Sequence, residues 1–172
     1  VSEAKFLKEG HLKILKTMHE ATGRMDINMF AHAINSTPEQ TIDQIHLLAN
    51  EGFLHKVGSG YGLTDKGKNA LKISIQIPAE KAFNFYVNVD KPLGFSAQSI
   101  AEFYRIVKQV IVDSVDFHLY RGDFERWVGD VLMDQVLADE VDEIEGYGLN
   151  GEDLRKALLR IIDERYGVGQ LL

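Results

Sequence analysis

The sequence predicts a mainly α-helical chain in two parts, with one small β-hairpin in the first part and a compact helical domain after it. Three observations carry that prediction. Apolar residues recur at helical spacing through most of the 172 residues, the signature of amphipathic helices. A Gly-rich turn separates two short runs near residues 53–64, as in a β-hairpin. Charge is split between the parts: residues 1–77 hold 9 Lys/Arg against 8 Asp/Glu, the remainder 10 against 18, and +1 and −8 sum to the net −7. Only the first part approaches a phosphate backbone without strong repulsion.

The first helix carries Phe6, Leu7, Leu12, Ile14, Leu15 and Met18 on its apolar side, with Lys5, Lys8, Lys13 and Lys16 elsewhere and Gly23 as its stop. Asp26 caps a second, short helix that turns Ile27, Phe30, Ala31 and Ile34 inward. Thr37-Pro38-Glu39-Gln40 is the sharpest local signal, with a capping Thr, Pro at the first helical position and Gln three residues after the cap. It opens a third helix whose buried stripe reads Ile42, Ile45, Leu48 and Ala49, and which ends at Gly52. Phe53–Val57 and Tyr61–Thr64 flank the turn Gly58-Ser59-Gly60, and Asp65–Leu71 returns to helix.

Helix, helix, tight turn, helix and hairpin is the element order of a winged helix. The runs Leu47-Leu48-Ala49-Asn50-Glu51-Gly52-Phe53-Leu54 and Leu63-Thr64-Asp65-Lys66-Gly67-Lys68-Asn69-Ala70-Leu71 resemble the end of a recognition helix and the Leu-Thr-x-x-Gly-x-x-x-Leu wing exit of winged helix-turn-helix regulators. The resemblance covers residues 3–72. It implies a DNA-binding transcriptional regulator, with helix 38–51 in the major groove and a wing at 53–64. Thr37, Glu39, Gln40, Asp43 and Gln44 then face the bases, while Lys56, Ser59, Tyr61, Lys66 and Lys68 sit on or beside the wing. Gln40 and Gln44 suit adenine edges and Glu39 suits cytosine. Against this, Asp43 stands where many members carry a basic residue, and no Arg or Lys occurs between Arg24 and Lys56. The alternative is a winged helix used as a protein-interaction or dimerisation adaptor without DNA binding. Double-stranded DNA and a second copy of the chain are the expected partners, because a homodimer doubles few phosphate contacts.

Ile73–Ile77 alternates like a strand, Pro78 interrupts it, and the domain boundary is placed at 77/78. Phe83–Val89 reads as a strand or extended arm and Asp90–Gly94 as a turn. Helices follow: one from Ser96 or Ser99 to about Val112, then Ser114–Tyr120, a segment capped by Asp123, another around Val136–Val141, and a last one opened by Asn150. The role expected of this acidic helical domain is dimerisation or sensing.

Its densest polar cluster, His118-Leu119-Tyr120-Arg121-Gly122-Asp123-Phe124-Glu125-Arg126-Trp127, resembles a His-x-x-Arg-Gly-Asp-Phe-x-x-Trp stretch of an uncharacterised prokaryotic helical domain family. That resemblance supplies no activity. Physically, Gly122 makes a turn, Asp123 caps a helix, and Arg121 and His118 bond nearby carbonyls or carboxylates. The competing reading is an anion or ligand pocket built by His118, Arg121 and Arg126.

Other classes find little support. No metal is expected, since the histidines lack carboxylate partners and the run Asp139, Glu140, Asp142, Glu143 and Glu145 lacks calcium-loop spacing; that run reads as a solvated face or a docking surface for a basic partner. No cofactor motif, nucleophile elbow or paired-carboxylate site appears, so no catalytic residue and no enzymatic activity is expected. Cysteine is absent, no apolar run reaches the roughly eighteen residues of a membrane span, and the N-terminal residues given do not read as a charged-then-apolar leader, although a processed leader would leave no trace in them. A cytoplasmic protein is the expectation.

Overall fold

The computed structural model describes residues 8–21 and 26–171. Phe6, Leu7 and Gly23, read as the start and stop of the first helix, lie outside the described residues, as do Lys5 and Arg24. The described chain is mainly helical with two small antiparallel hairpins. The described residues divide into two units, those up to residue 72 together with 170–171, and residues 73–169. No described helix is long and apolar enough to cross a membrane.

In the first unit, α1 (Glu9–Glu20), α2 (Ile27–Ala33) and α3 (Pro38–Asn50) precede β1 (Leu54–Val57), β2 (Gly60–Leu63) and α4 (Asp65–Ser74). Asp26 Oδ1 accepts from Met29 N at 2.9 Å, and Thr37 caps α3 with Gln40 closing the box. The buried face of α3 is Thr41, Ile45 and Leu48, so Ile42 corrects the expected stripe: it is 39% exposed. Thr41 takes the inward place because its hydroxyl is satisfied by Thr37 O at 2.8 Å.

The exit of the hairpin is stitched to the end of α3. Gly52 (φ +85) reverses the chain and Phe53 N reaches back to Leu48 O at 2.9 Å, a Schellman-type closure. Thr64 Oγ1 donates to Gly52 O at 2.5 Å and accepts from Gly67 N at 3.1 Å. A Cβ at Gly67 would lie 2.3 Å from Phe53 O, so this close approach admits only glycine. The Leu-Thr-x-x-Gly spacing thus encodes a backbone junction.

In the second unit, a 3-10 turn (Ala79–Lys81) leads to β3 (Phe83–Asn88) and β4 (Lys91–Ala97), then α5 (Ile100–Gln109), α6 (Val112–Tyr120), α7 (Asp123–Asp130), α8 (Gln135–Glu145) and α9 (Gly151–Tyr166), and the short α10 (Val168–Leu171) begins there. Two expectations change here. Residues 73–77 are not a strand: α4 runs to Ser74 and Ile77 follows in coil. The reason is that Ile73 and Ile77, both buried, suit a helix turn and its exit as well as a strand face. Residues 91–94 are not a turn but part of β4, the reversal falling at Val89–Asp90. Pro92 is tolerated in a two-stranded ladder, and Gly94 (φ +78) lies where the register between the Asn84–Ser96 and Tyr86–Pro92 pairs shifts.

The helices of this unit are joined by side chains that satisfy helix ends. Ser99 caps α5, and Arg155 of α9 donates to Lys108 O at 2.8 Å, close to where α5 ends. Gly151 N at the start of α9 donates to Asp116 Oδ1 of α6 at 2.8 Å. Asp134 caps α8 through Leu137 N at 3.1 Å, receives Arg165 Nε at 2.5 Å and accepts a short hydrogen bond from the Tyr166 hydroxyl. Burial pushes the Asp134 carboxyl up, but the bonds from Arg165, Tyr166 and Leu137 together outweigh it and hold the group below its ordinary value. Burial first, then Asp134, pushes Tyr166 up to about 12.

A carboxylate with a depressed native pKa contributes stability above its unfolded value, near 3.8, and that contribution is lost as pH falls through the native value. Asp134→Asn is therefore expected to cost about 2–4 kcal/mol at neutral pH and to lose less further stability on acidification than the wild type does. Urea unfolding at about pH 7 and about pH 3 checks this.

Candidate functional site

The strongest constellation in the second unit grows from the α6–α7 corner. Gly122, at φ +74, ends α6 through its N–H to Leu119 O at 2.9 Å and opens α7 by accepting from Arg126 N at 3.1 Å. Gly122, not Asp123, is the capping residue. The tight reversal frees the Asp123 carboxylate to face back toward His118.

His118 is 3% exposed and packed among aromatic rings, with Phe83 at 4.8 Å, Phe117 at 5.0 Å and Phe124 at 5.5 Å between centroids. Tyr86 N donates to its Nε2 at 2.8 Å. Nε2 is therefore unprotonated, the proton sits on Nδ1, and Nδ1–H donates to Asp123 Oδ2 at 2.8 Å. Burial lowers the imidazole pKa; Asp123 opposes that shift and Arg121 adds to it. Protonating Nε2 would also set two N–H donors against each other at the Tyr86 bond. Trp127 Nε1 donates to Lys81 O at 2.8 Å, fixing the approach to β3 from the other side.

The two arginines are placed differently. Arg126 Nη1 donates to Arg121 O at 3.0 Å and Nη2 closes a short ion pair with Asp123 Oδ1. Arg121 has Nε 3.5 Å from Asp123 Oδ2 and its guanidinium carbon 4.8 Å from the Phe117 ring centroid. The three residues read as a ligand set do lie together, but His118 has both nitrogens occupied and offers no ligand atom. Nε2, which would activate a nucleophile in a His–Asp dyad, is held by a backbone N–H.

In the first unit the residues assigned to the bases diverge. Thr37 Oγ1 accepts from Gln40 N at 3.2 Å, while Gln40 Oε1 accepts from Ser36 Oγ at 3.1 Å and faces Thr37 N at 3.5 Å. Gln44 turns toward α1: its Oε1 is buried and lies beside His11, whose pKa burial lowers while Gln44 opposes the shift. Glu39 and Asp43 are exposed, as are Ile42, His46 and Leu47 on the same helix. Lys56 and Ser59 are exposed on the hairpin, and Tyr61, paired with Lys56 across the ladder, is half-buried with its ring 6.5 Å from His46. Lys68 is exposed. Lys66 follows the hairpin directly; its ammonium donates to Glu51 O at 2.7 Å and lies 4.5 Å from the Phe53 ring centroid, so it caps α3.

The acidic run of α8 is joined across space by a residue that sequence reading did not connect to it. Glu125 of α7 lies with Asp142 and Glu145 so that their carboxylate oxygens fall within 4.8 Å of one another. Burial first, then these neighbours and Asp139, raise the Glu125 pKa.

The second unit is thus a helical domain whose hairpin is clamped to a helix corner by a neutral histidine. Residues 79–171, more than half of the chain, match the model of a family described as a family of unknown function (DUF5752), and the chain belongs to that family. No curated protein and no solved structure matches it.

A histidine with a depressed native pKa contributes stability above its unfolded value, near 6.5, and that contribution is lost as pH falls through the native value. Followed by the fluorescence of Trp127, the single tryptophan, the second unit should become easier to unfold as pH drops below about 6.5. His118→Phe is expected to cost about 2–4 kcal/mol, because it orphans Tyr86 N–H and the Asp123 carboxylate, and to lose much of that pH dependence.

Proposed function

We propose that the first unit is a winged helix that binds duplex DNA as part of a transcriptional regulator, acting as a homodimer, with the acidic second unit serving dimerisation or sensing and no enzymatic role. The observation that carries this reading is the succession of α2, a four-residue connection and a Thr-capped α3, followed directly by a two-stranded hairpin whose Lys56 is exposed. That arrangement offers a helix to the major groove and a cationic wing to the adjacent backbone. With Gln44 turned inward and Lys66 engaged, binding leans on Lys56, Lys68 and the amide of Gln40, with little direct base readout.

A second reading is favoured by the outward face of α3. It presents Glu39, Ile42, Asp43, His46 and Leu47 without a Lys or Arg, and Ile42 and Leu47 are 39% and 43% exposed. Two carboxylates repel phosphate, whereas exposed aliphatic groups suit a protein partner. On this reading the winged helix is a protein-interaction adaptor without DNA binding.

Titrating the full chain into a labelled mixed-sequence duplex, with anisotropy read at two salt concentrations, separates the two. DNA binding predicts affinity in about the micromolar range that falls steeply with salt, with Lys56→Glu weakening it about tenfold or more. Absence of binding at low salt contradicts the regulator and leaves the adaptor.

A further inference from the structure

Within the second unit, the β3–β4 hairpin and the α6–α7 corner border an open depression of about 510 Å³, inside the range of about 300–1,000 Å³ that small-molecule sites occupy. Phe83 and Trp127, both largely buried, line it together with half-buried Tyr86 and Phe117, which gives it an aromatic lining.

Its polar groups are unevenly committed. Arg126 is used by Asp123 and Arg121 O. Arg121 is held at Nε by Asp123 and on one face by Phe117, yet its two terminal amino groups have no hydrogen-bond partner among the described residues. Asn84 accepts from Ser96 Oγ at 2.6 Å, and its amide nitrogen likewise has none. Asp130 also lines the depression, seven residues beyond Asp123 on α7 and therefore about 10 Å along the helix from it.

We propose that this depression binds a small aromatic monocarboxylate, with the carboxylate on the Arg121 fork and the Asn84 amide and the ring against Phe83 and Trp127. A planar two-oxygen group matches the two free donors of a pre-positioned guanidinium. A single anionic end fits the distribution of charge, because Arg126 is already neutralised by Asp123, Arg121 keeps free donors at one end, and Asp130 disfavours a second anionic end. The shape and charge of the depression carry this inference independently of the DNA reading.

Trp127, the single tryptophan, reports on the site directly. We would titrate the full chain with 3-phenylpropionate and follow Trp127 emission, running acetate (no ring) and 2-phenylethylamine (same ring, opposite charge) in parallel. A saturable response with a dissociation constant of about 1 mM is expected for an open site of this size. Acetate and the amine should bind at least about tenfold more weakly, as should 3-phenylpropionate to Arg121→Gln. If circular dichroism shows that Arg121→Gln does not fold, Asn84→Ala replaces it, with about threefold weaker binding expected. No saturable response up to about 20 mM, equal binding of the amine, or unchanged affinity in the folded variant would overturn the proposal.

Discussion

His118 has both ring nitrogens in use, accepting the Tyr86 N–H at Nε2 and donating from Nδ1 to Asp123. In a site packed by Phe83, Phe117 and Phe124, losing either bond would leave a largely buried polar group unsatisfied, so each partner's position is constrained by the ring. Asp123 must come back toward α6, which requires the left-handed Gly122. Tyr86 must present its N–H inward, which seats β3 against the helix corner. Asp123 in turn orients Arg121 and Arg126. The hairpin, the corner and the arrangement of cations around the depression all trace to one neutral imidazole.

The first unit is organised by a different economy, in which polar side chains near the hairpin close backbone ends. Thr64, Lys66 and Gly67 lie in one motif and all serve the α3–β1 junction: the hydroxyl bonds Gly52 O, the ammonium bonds Glu51 O, and the missing Cβ allows Phe53 O to approach. The cost falls on charge. A lysine that caps a helix contributes less to an electrostatic footprint, and the outward face of α3 carries carboxylates instead.

Local chemistry was legible where it acts through neighbours in sequence. The Thr37–Gln40 capping box, the Asp26 cap and Gly52 could be read from spacing, because a cap needs only a fixed offset. Ile42 was misplaced because a buried Thr41 whose hydroxyl bonds Thr37 O is invisible to apolar periodicity. Strand β4 was missed because Pro92 and Gly94 are turn residues by composition, yet a two-stranded ladder with a register shift accommodates both. The proximity of His118, Arg121 and Arg126 was legible, but the Tyr86–His118 bond spans 32 residues and Glu125 meets Asp142 and Glu145 only through helix packing. No pattern in the chain announces either.

Long-range ¹H–¹⁵N correlation of the histidine side chains at neutral pH tests the neutral clamp most directly. The account predicts that His118 is in the Nδ1–H tautomer, with Nε2 showing the shift of an unprotonated, hydrogen-bonded nitrogen. An Nε2–H tautomer or an imidazolium at that pH would contradict it, since either removes the acceptor that holds Tyr86.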